Sequence, residues 1–207
     1  MMDKLNLEQK LEQFEEFFSI KHTIKVNIKC LSADFVLPHN DELVEHMPYV
    51  FKVASELVSI DSKALRPLRN MGEHAGELAE FLNHLSRKID LMMSLILQQE
   101  DDPELAHESY KFGGGGTIII SKSALPIGQV TELKLFIREE AAAIFCFAEV
   151  IACQKQDDDY HISLVFTRIR EQDQDLLVRA SLHLQAANLR KRNLKLNKDQ
   201  QHKNESD

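Results

Sequence analysis

The sequence has no apolar stretch near the roughly 20 residues that a membrane-spanning helix needs, so no membrane span is expected. Its opening, MMDKLNLEQKLEQFEEFF, lacks the apolar run that a secretory signal places before its cleavage site. The expected location is the cytoplasm, with association to a membrane complex left open. Cysteine is scarce: Cys30, Cys146 and Cys153 form no CxxC pair, which argues against a zinc site and a disulfide framework and for reduced thiols. A basic surplus is missing too. The formal net charge is −8, whereas a general nucleic-acid binder needs a cationic surface, so no nucleic-acid partner is expected. The basic cluster Arg190, Lys191, Arg192 and Lys195 suits a helix C-terminus, where the macrodipole favours cations.

Glycine is the scarcity with a twist. Of seven glycines, four stand in a row, Gly113 to Gly116, inside SYKFGGGGTIIIS. Such a run permits an anion-binding nest, and equally a bulge or tight bend. A nucleoside-triphosphate loop would need Gly-Lys-Ser/Thr opening a helix. Here Thr117, Ile118, Ile119 and Ile120 follow, which is strand chemistry. No strand–turn–helix order surrounds the run, so the dinucleotide fingerprint fails as well. The expectation is a lead into a strand, made of glycine for its freedom at positive φ.

Leu7, Leu11, Phe14 and Phe18 share one face of a short amphipathic helix, expected within residues 1–22. In TIKVNIKCL, Ile24, Val26, Ile28 and Cys30 alternate with Lys25, Asn27 and Lys29, the pattern of a half-buried strand within 23–35. Residues 36–105 read as a helical insertion. Asp41 to Ile60 form its first helix, with Pro48 near the start and Phe51, Ala54, Leu57 and Val58 inward. Pro67 fits the first turn of the next helix and not an interior.

That next helix, about 66–99, carries the strongest pattern. Leu68, Met71, Ala75, Leu78, Leu82, Leu85, Ile89, Met92, Ile96 and Gln99 follow steps of three and four without a break, and only Gln99 is polar. This is the coiled-coil heptad. Leu91, Met93, Leu95 and Leu97 widen the stripe near its end, which should pack on the fold. At 1.5 Å per residue the helix would be roughly 50 Å long, against a radius of gyration of about 13 Å for a small domain. The nine apolar positions from Leu68 to Ile96 are therefore expected to hold a homo-oligomer together, and they also suit an internal helical bundle.

After the glycines the period becomes two. TELKLFI, CFAEVIAC and YHISLVFTRI read as strands, joined by turns at LPIG and QKQDDD. IFCFAEVIACQ is nearly continuous apolar, as for a strand covered on both faces. A small antiparallel barrel is expected over 106–170, then a helix over 171–192 with Leu177, Ala180, Leu184 and Ala187 on one face, then a polar tail over 193–207.

The order Gly115-Gly116 into a strand, LPIG (Leu125 to Gly128), TELKLFI, CFAEVIAC, YHISLVFTRI and the closing EQDQDLLVRASLHL resembles the PilZ family of bacterial cyclic di-GMP receptors. The long heptad helix ahead of the glycines is similar to an atypical, self-associating branch of that family. The resemblance covers about residues 110–192 and implies an α+β fold: a six-stranded barrel, here with a helical insertion. It also implies a role in cyclic di-GMP signalling through the motifs RxxxR and (D/N)xSxxG. The arginines would hold phosphate and stack on guanine.

This chain departs from both motifs. With the final glycine on Gly116, Lys111 stands at the acidic position and Gly113 at the serine. Upstream, Arg66 and Arg69 are spaced RxxR at an expected helix start, and SRKID offers Arg87 alone. Cyclic di-GMP is thus a disfavoured ligand; Arg66, Arg69, Arg87, Gly113 and Gly116 are its contacts in the receptor alternative.

Other chemistry is thin. Glu77 and His84 share a helix face, with His74 and Glu80 nearby, but on the solvent side of the heptad, and a bundle metal site points inward. No catalytic constellation, metal or cofactor is expected. The function implied is a non-enzymatic, oligomeric PilZ-type signalling adaptor with weak, altered or absent nucleotide binding. The alternatives are a true cyclic di-GMP receptor using non-standard residues and a purely structural assembly protein.

Overall fold

The computed structural model describes Phe14, residues 19–68 and residues 75–204. Seven strands run in chain order: β1 (Ser19–Ile20), β2 (Lys25–Cys30), β3 (Ala106–Gly113), β4 (Gly116–Ser121), β5 (Val130–Ile137), β6 (Ala142–Gln156) and β7 (Asp159–Arg168). Every pairing is antiparallel. The order β3-β2-β5-β6-β7-β4 closes through a β3–β4 pair, giving a six-stranded barrel with β1 as an added strand.

β1 and β2 are one strand in two pieces. Ser19 faces Gly113 and Ile20 faces Phe112, whereas Lys25 faces Glu108. The break falls opposite a bulge in β3 between Ser109 and Lys111. The Ser109 side chain bridges it: Oγ accepts from the Ile24 amide at 2.9 Å and donates to the His22 carbonyl at 2.8 Å. Residues 19–20 are thus strand, where the sequence suggests the end of a helix. Phe14 is helical, and Leu7, Leu11 and Phe18 lie outside the described residues.

The run IFCFAEVIACQ is apolar on both faces for a visible reason. Ile144, Cys146, Ala148 and Val150 point into the barrel, among Val26, Phe112, Leu133 and Leu164. Ala143, Phe145 and Phe147 point outward, under helices that hold Leu43, Met47, Phe51, Ala54, Met93 and Leu97. At LPIG, Gly128 takes φ +87° and the Gln129 amide bonds the Pro126 carbonyl, as a type II turn requires. At QKQDDD, Gln156 pairs Asp159 across a two-residue loop in which Asp157 adopts φ +51°.

Four α-helices are described: α1 (Leu43–His46), α2 (Tyr49–Leu68), α3 (Ala75–Gln98) and α4 (Glu171–Asn204). The single helix expected from Asp41 is interrupted. Proline disfavours the helical conformation in the residue before it, and Met47, ahead of Pro48, is extended at ψ 134°. Pro48 then starts α2, its carbonyl accepting from Phe51 and Lys52. α2 continues through Pro67 to Leu68, so Pro67 sits in its last described turn and does not open the heptad helix. Leu68 likewise belongs to α2, and residues 69–74 lie outside the described ones.

α2 has 20 residues and α3 has 24, or about 30 and 36 Å. The early part of α2 (Phe51, Ala54) and the late part of α3 (Met93, Leu97) share one cluster on the barrel. The two helices therefore leave and re-enter at the same place. α4 closes the barrel with Leu176, Leu177, Ala180 and Leu184. Ala187 is exposed, and the helix is described through Asn204, across residues whose composition reads as a polar tail.

Candidate functional site

Gly113–Gly116 form the corner between β3 and β4, and the chain packs its own elements around it. The Gly115 carbonyl accepts from the Phe166 amide of β7 at 3.1 Å, and the Gly114 carbonyl from Gln174 Nε2 of α4 at 2.9 Å. Thr117 Oγ1 donates to the Lys111 carbonyl at 3.0 Å. Among the described residues, φ between +20° and +160° occurs at Gly128, Ala141 and Asp157 and at none of the four glycines. Positive φ is therefore not what the corner requires. Close approach is: a Cβ on Gly116 would overlap the Leu164 carbonyl oxygen and stand 2.7 and 2.8 Å from Cδ2 and Cε2 of Phe14. Nothing local in the sequence announces Phe14 or Gln174 as neighbours of the corner.

Beside the corner, α4 begins on an ion pair. Arg170 Nε and Nη2 donate to the Asp173 carboxylate at 2.7 and 2.8 Å. Burial pushes the Asp173 carboxyl above its ordinary range, and Arg170 offsets this only in part. The Cys146 thiol is pushed well up by burial first and by the Asp173 charge second, so it is an inert core group.

Of the family-type arginines, Arg87 is the one whose side chain is described, and it lies away from the corner. Arg87 is exposed on α3, which meets the barrel over β6, whereas β1, β7 and α4 frame the corner. Arg69 and the Arg66 side chain lie outside what is described.

The second region is the outer face of α3. Met93 and Leu97 face the barrel. Leu78, Leu85, Met92 and Ile96 of the heptad are exposed, joined by Phe81 and Leu95, each 63% exposed. Leu82 and Ile89 are half-buried; Met71 and the side chains of Leu68 and Ala75 are not described. Of the residues expected to widen the stripe, Met93 and Leu97 are core while Leu91 and Leu95 stay outside. Glu80 and His84 are exposed, whereas His74 and the Glu77 side chain lie outside what is described. No group of three His, Cys, Asp or Glu side chains converges among the described residues.

A polar joint ties α3 to the barrel. Asn27, alternating with apolar residues and so expected outward, is only 3% exposed. Its Nδ2 donates to Asp101 Oδ1 and to the Asp102 carbonyl, both at 3.0 Å, and its Oδ1 accepts from the Asp102 amide at 2.9 Å. Lys25 pairs with Asp101, and Lys134 with Glu100 at 3.2 Å. Burial alone would raise the Asp101 carboxyl. The hydrogen bonds from Lys25 and Asn27, with the charges of Lys25 and Arg138, outweigh it and hold that carboxyl below its ordinary range.

No protein-family model and no curated protein matches the chain. Among solved structures it is similar to a tetrameric PilZ domain from Xanthomonas campestris, self-assembled through a helical bundle. Identity is 19%, coverage is 86% of this chain and 96% of that one, and the TM-score is 0.51. A partial match is an inhibitor of motility from Bacillus subtilis, at 20% identity, 42% and 45% coverage and a TM-score of 0.38. The six-stranded antiparallel barrel, its closing helix and its helical insertion together give this chain the PilZ-type fold.

Proposed function

We propose that this protein is a non-enzymatic, self-associating signalling adaptor of the PilZ type. It works in the bacterial cytoplasm in cyclic di-GMP-linked regulation and binds the nucleotide weakly or not at all. The observation that carries this reading is the exposed apolar stripe of α3. Leu78, Phe81, Leu85, Met92, Leu95 and Ile96 line a helix that reaches away from the barrel. A soluble chain gains by covering such a stripe, and a second copy offers an identical one. The Xanthomonas neighbour, a tetramer assembled by its helical bundle, supports the same reading.

The mechanism is presentation. Copies join through α3, with its remaining heptad positions Ala75, Leu82 and Ile89 completing the seam. The Asn27–Asp101–Asp102 joint keeps each barrel at a fixed attitude to its helix. Several identical barrel faces then meet a partner at once, which raises avidity without any new contact.

Weak nucleotide binding follows from the missing side chains. Lys111 and Gly113 replace an acid and a serine, and each unmade buried hydrogen bond costs about 1–3 kcal/mol. Calorimetry with cyclic di-GMP, with mass followed by light scattering, tests both halves. The expected result is an oligomer with little heat of binding. Sub-micromolar affinity lost on Arg66→Ala or Arg69→Ala would instead make the chain a receptor.

A further inference from the structure

We propose that the cleft between the last turn of α3 and the β5–β6 corner is a binding site for a small monocarboxylate with a short aliphatic tail. The cleft holds about 320 Å³, counted with its mouth, at the lower end of the range for small-ligand sites. Its inner wall is apolar, with Leu97, Phe136 and Ile137 all buried. Its rim is charged, with Lys25, Asp101 and Arg138. An apolar wall with a few converging polar groups is the ordinary build of a small-ligand site.

The rim carries one cation more than its own acids use. The Asp101 carboxylate is taken, Oδ2 by Lys25 and Oδ1 by Asn27 at 3.0 Å. Of the acids nearby, Glu100 is paired with Lys134 at 3.2 Å, and Glu140 meets His183 Nδ1 at 3.0 Å. The Arg138 side chain is exposed and makes no hydrogen bond or ion pair to any described residue, though its charge helps to hold the Asp101 carboxyl low. A guanidinium offers two parallel donors to a carboxylate, and a single surplus charge matches a monoanion better than a phosphate dianion. The corner that presents Arg138 is held tightly: Ala141 sits at φ 47° and ψ 36°, and its amide donates to the Arg138 carbonyl. Left-handed strain of this kind, at a residue with a side chain, gathers at ligand sites. A carboxylate on Arg138 leaves its tail to lie over Leu97, which docks α3 on the barrel. The cleft is on the barrel side of α3, away from the exposed stripe, so this site stands or falls apart from self-association.

The test uses the full-length chain at neutral pH with sodium hexanoate, followed by saturation-transfer NMR on the ligand. Hexanoate should bind saturably at millimolar concentration, a level suited to a ligand of so few atoms. Hexanamide, of the same shape without the charge, should bind at least about tenfold more weakly, as the loss of one charge-assisted hydrogen bond requires. Arg138→Gln should weaken hexanoate by the same factor, and inorganic phosphate should not displace it. Ser94→Leu fills the cleft from α3 with a good helix former and should abolish binding with the charges untouched. Circular dichroism checks that each variant folds; should either fail, the comparison of hexanoate with hexanamide on the parent decides. No saturable binding at tens of millimolar, hexanamide equal to hexanoate, indifference to Arg138→Gln or to Ser94→Leu, or displacement by phosphate overturns the proposal.

Discussion

The glycine corner and the outer face of α3 are the two most conspicuous patterns in the sequence, and the folded chain treats them in opposite ways. The corner is closed from within: Phe14, Phe166 and Gln174 all reach it, each from a distant part of the chain. The α3 stripe is left open, with Leu85 and Met92 45% and 58% exposed. A run of glycines invites a ligand by its shape alone, and here the chain has used that shape for itself. An apolar heptad invites a partner by its area, and within one copy of the chain nothing described covers its outer side. The lesson is that composition marks both places while only packing says which is already satisfied.

The largest effect should come from breaking the closed region. Gly116→Val forces a branched side chain onto the Leu164 carbonyl and the Phe14 ring. The expected loss is about 3 kcal/mol, the upper end of overpacking costs, read from urea melts. Gly114→Ala should cost less. Equal melts for parent and Gly116→Val would mean that the corner is not tightly packed.

A middle effect should come from loosening the joint between the two regions. Asn27→Ala leaves the Asp102 amide and carbonyl without their buried partner. The expected cost is about 1–3 kcal/mol. It should fall on the attachment of α3, so exchange should rise at 101–102 while β5 and β6 keep their protection.

The smallest effect is set by pH. Asp101 has a folded pKa held below its unfolded value, so its contribution is present above the unfolded value, about 3.9, and is lost as pH falls through the folded one. Asp173 has the opposite sign: its folded pKa is raised, so its ionisation opposes folding at neutral pH and that penalty is relieved on acidification. Melts of parent and Asp101→Asn should therefore differ at pH 7, with the gap starting to close only as pH falls below about 4. A constant gap across that range would remove the charge of Asp101 from the account.

Much of the barrel was legible because its signals are local. Period-two alternation marks Leu133, Leu135 and Ile137, and the doubly apolar run marks β6, whose outward Phe145 and Phe147 lie under helices. The stripe of α3 was legible too, being a property of one helix. Three things were not. Asn27 alternates like a surface residue and is buried by acids 74 and 75 positions later. Pro67 was expected at a helix start and lies in the last described turn of α2. The covering of Gly116 depends on Phe14, which no spacing ties to it. In each case the deciding partner is distant in sequence, or the packing of a neighbouring element overrides a local propensity.

The central claim is that α3 joins copies of this chain through its exposed side. Leu82 is half-buried within its own protomer, so Leu85 and Met92 are the cleaner positions to change. Each apolar side chain covered by a partner contributes about 1.5–3 kcal/mol, and a glutamate in its place would have to be desolvated. Light scattering on the parent and on Leu85→Glu/Met92→Glu measures this directly. The account expects a parent mass at a multiple of 23.8 kDa, falling to 23.8 kDa in the double variant with its strand circular dichroism intact. A parent already at 23.8 kDa at micromolar concentration, or a double variant that keeps the parent's mass, would contradict it.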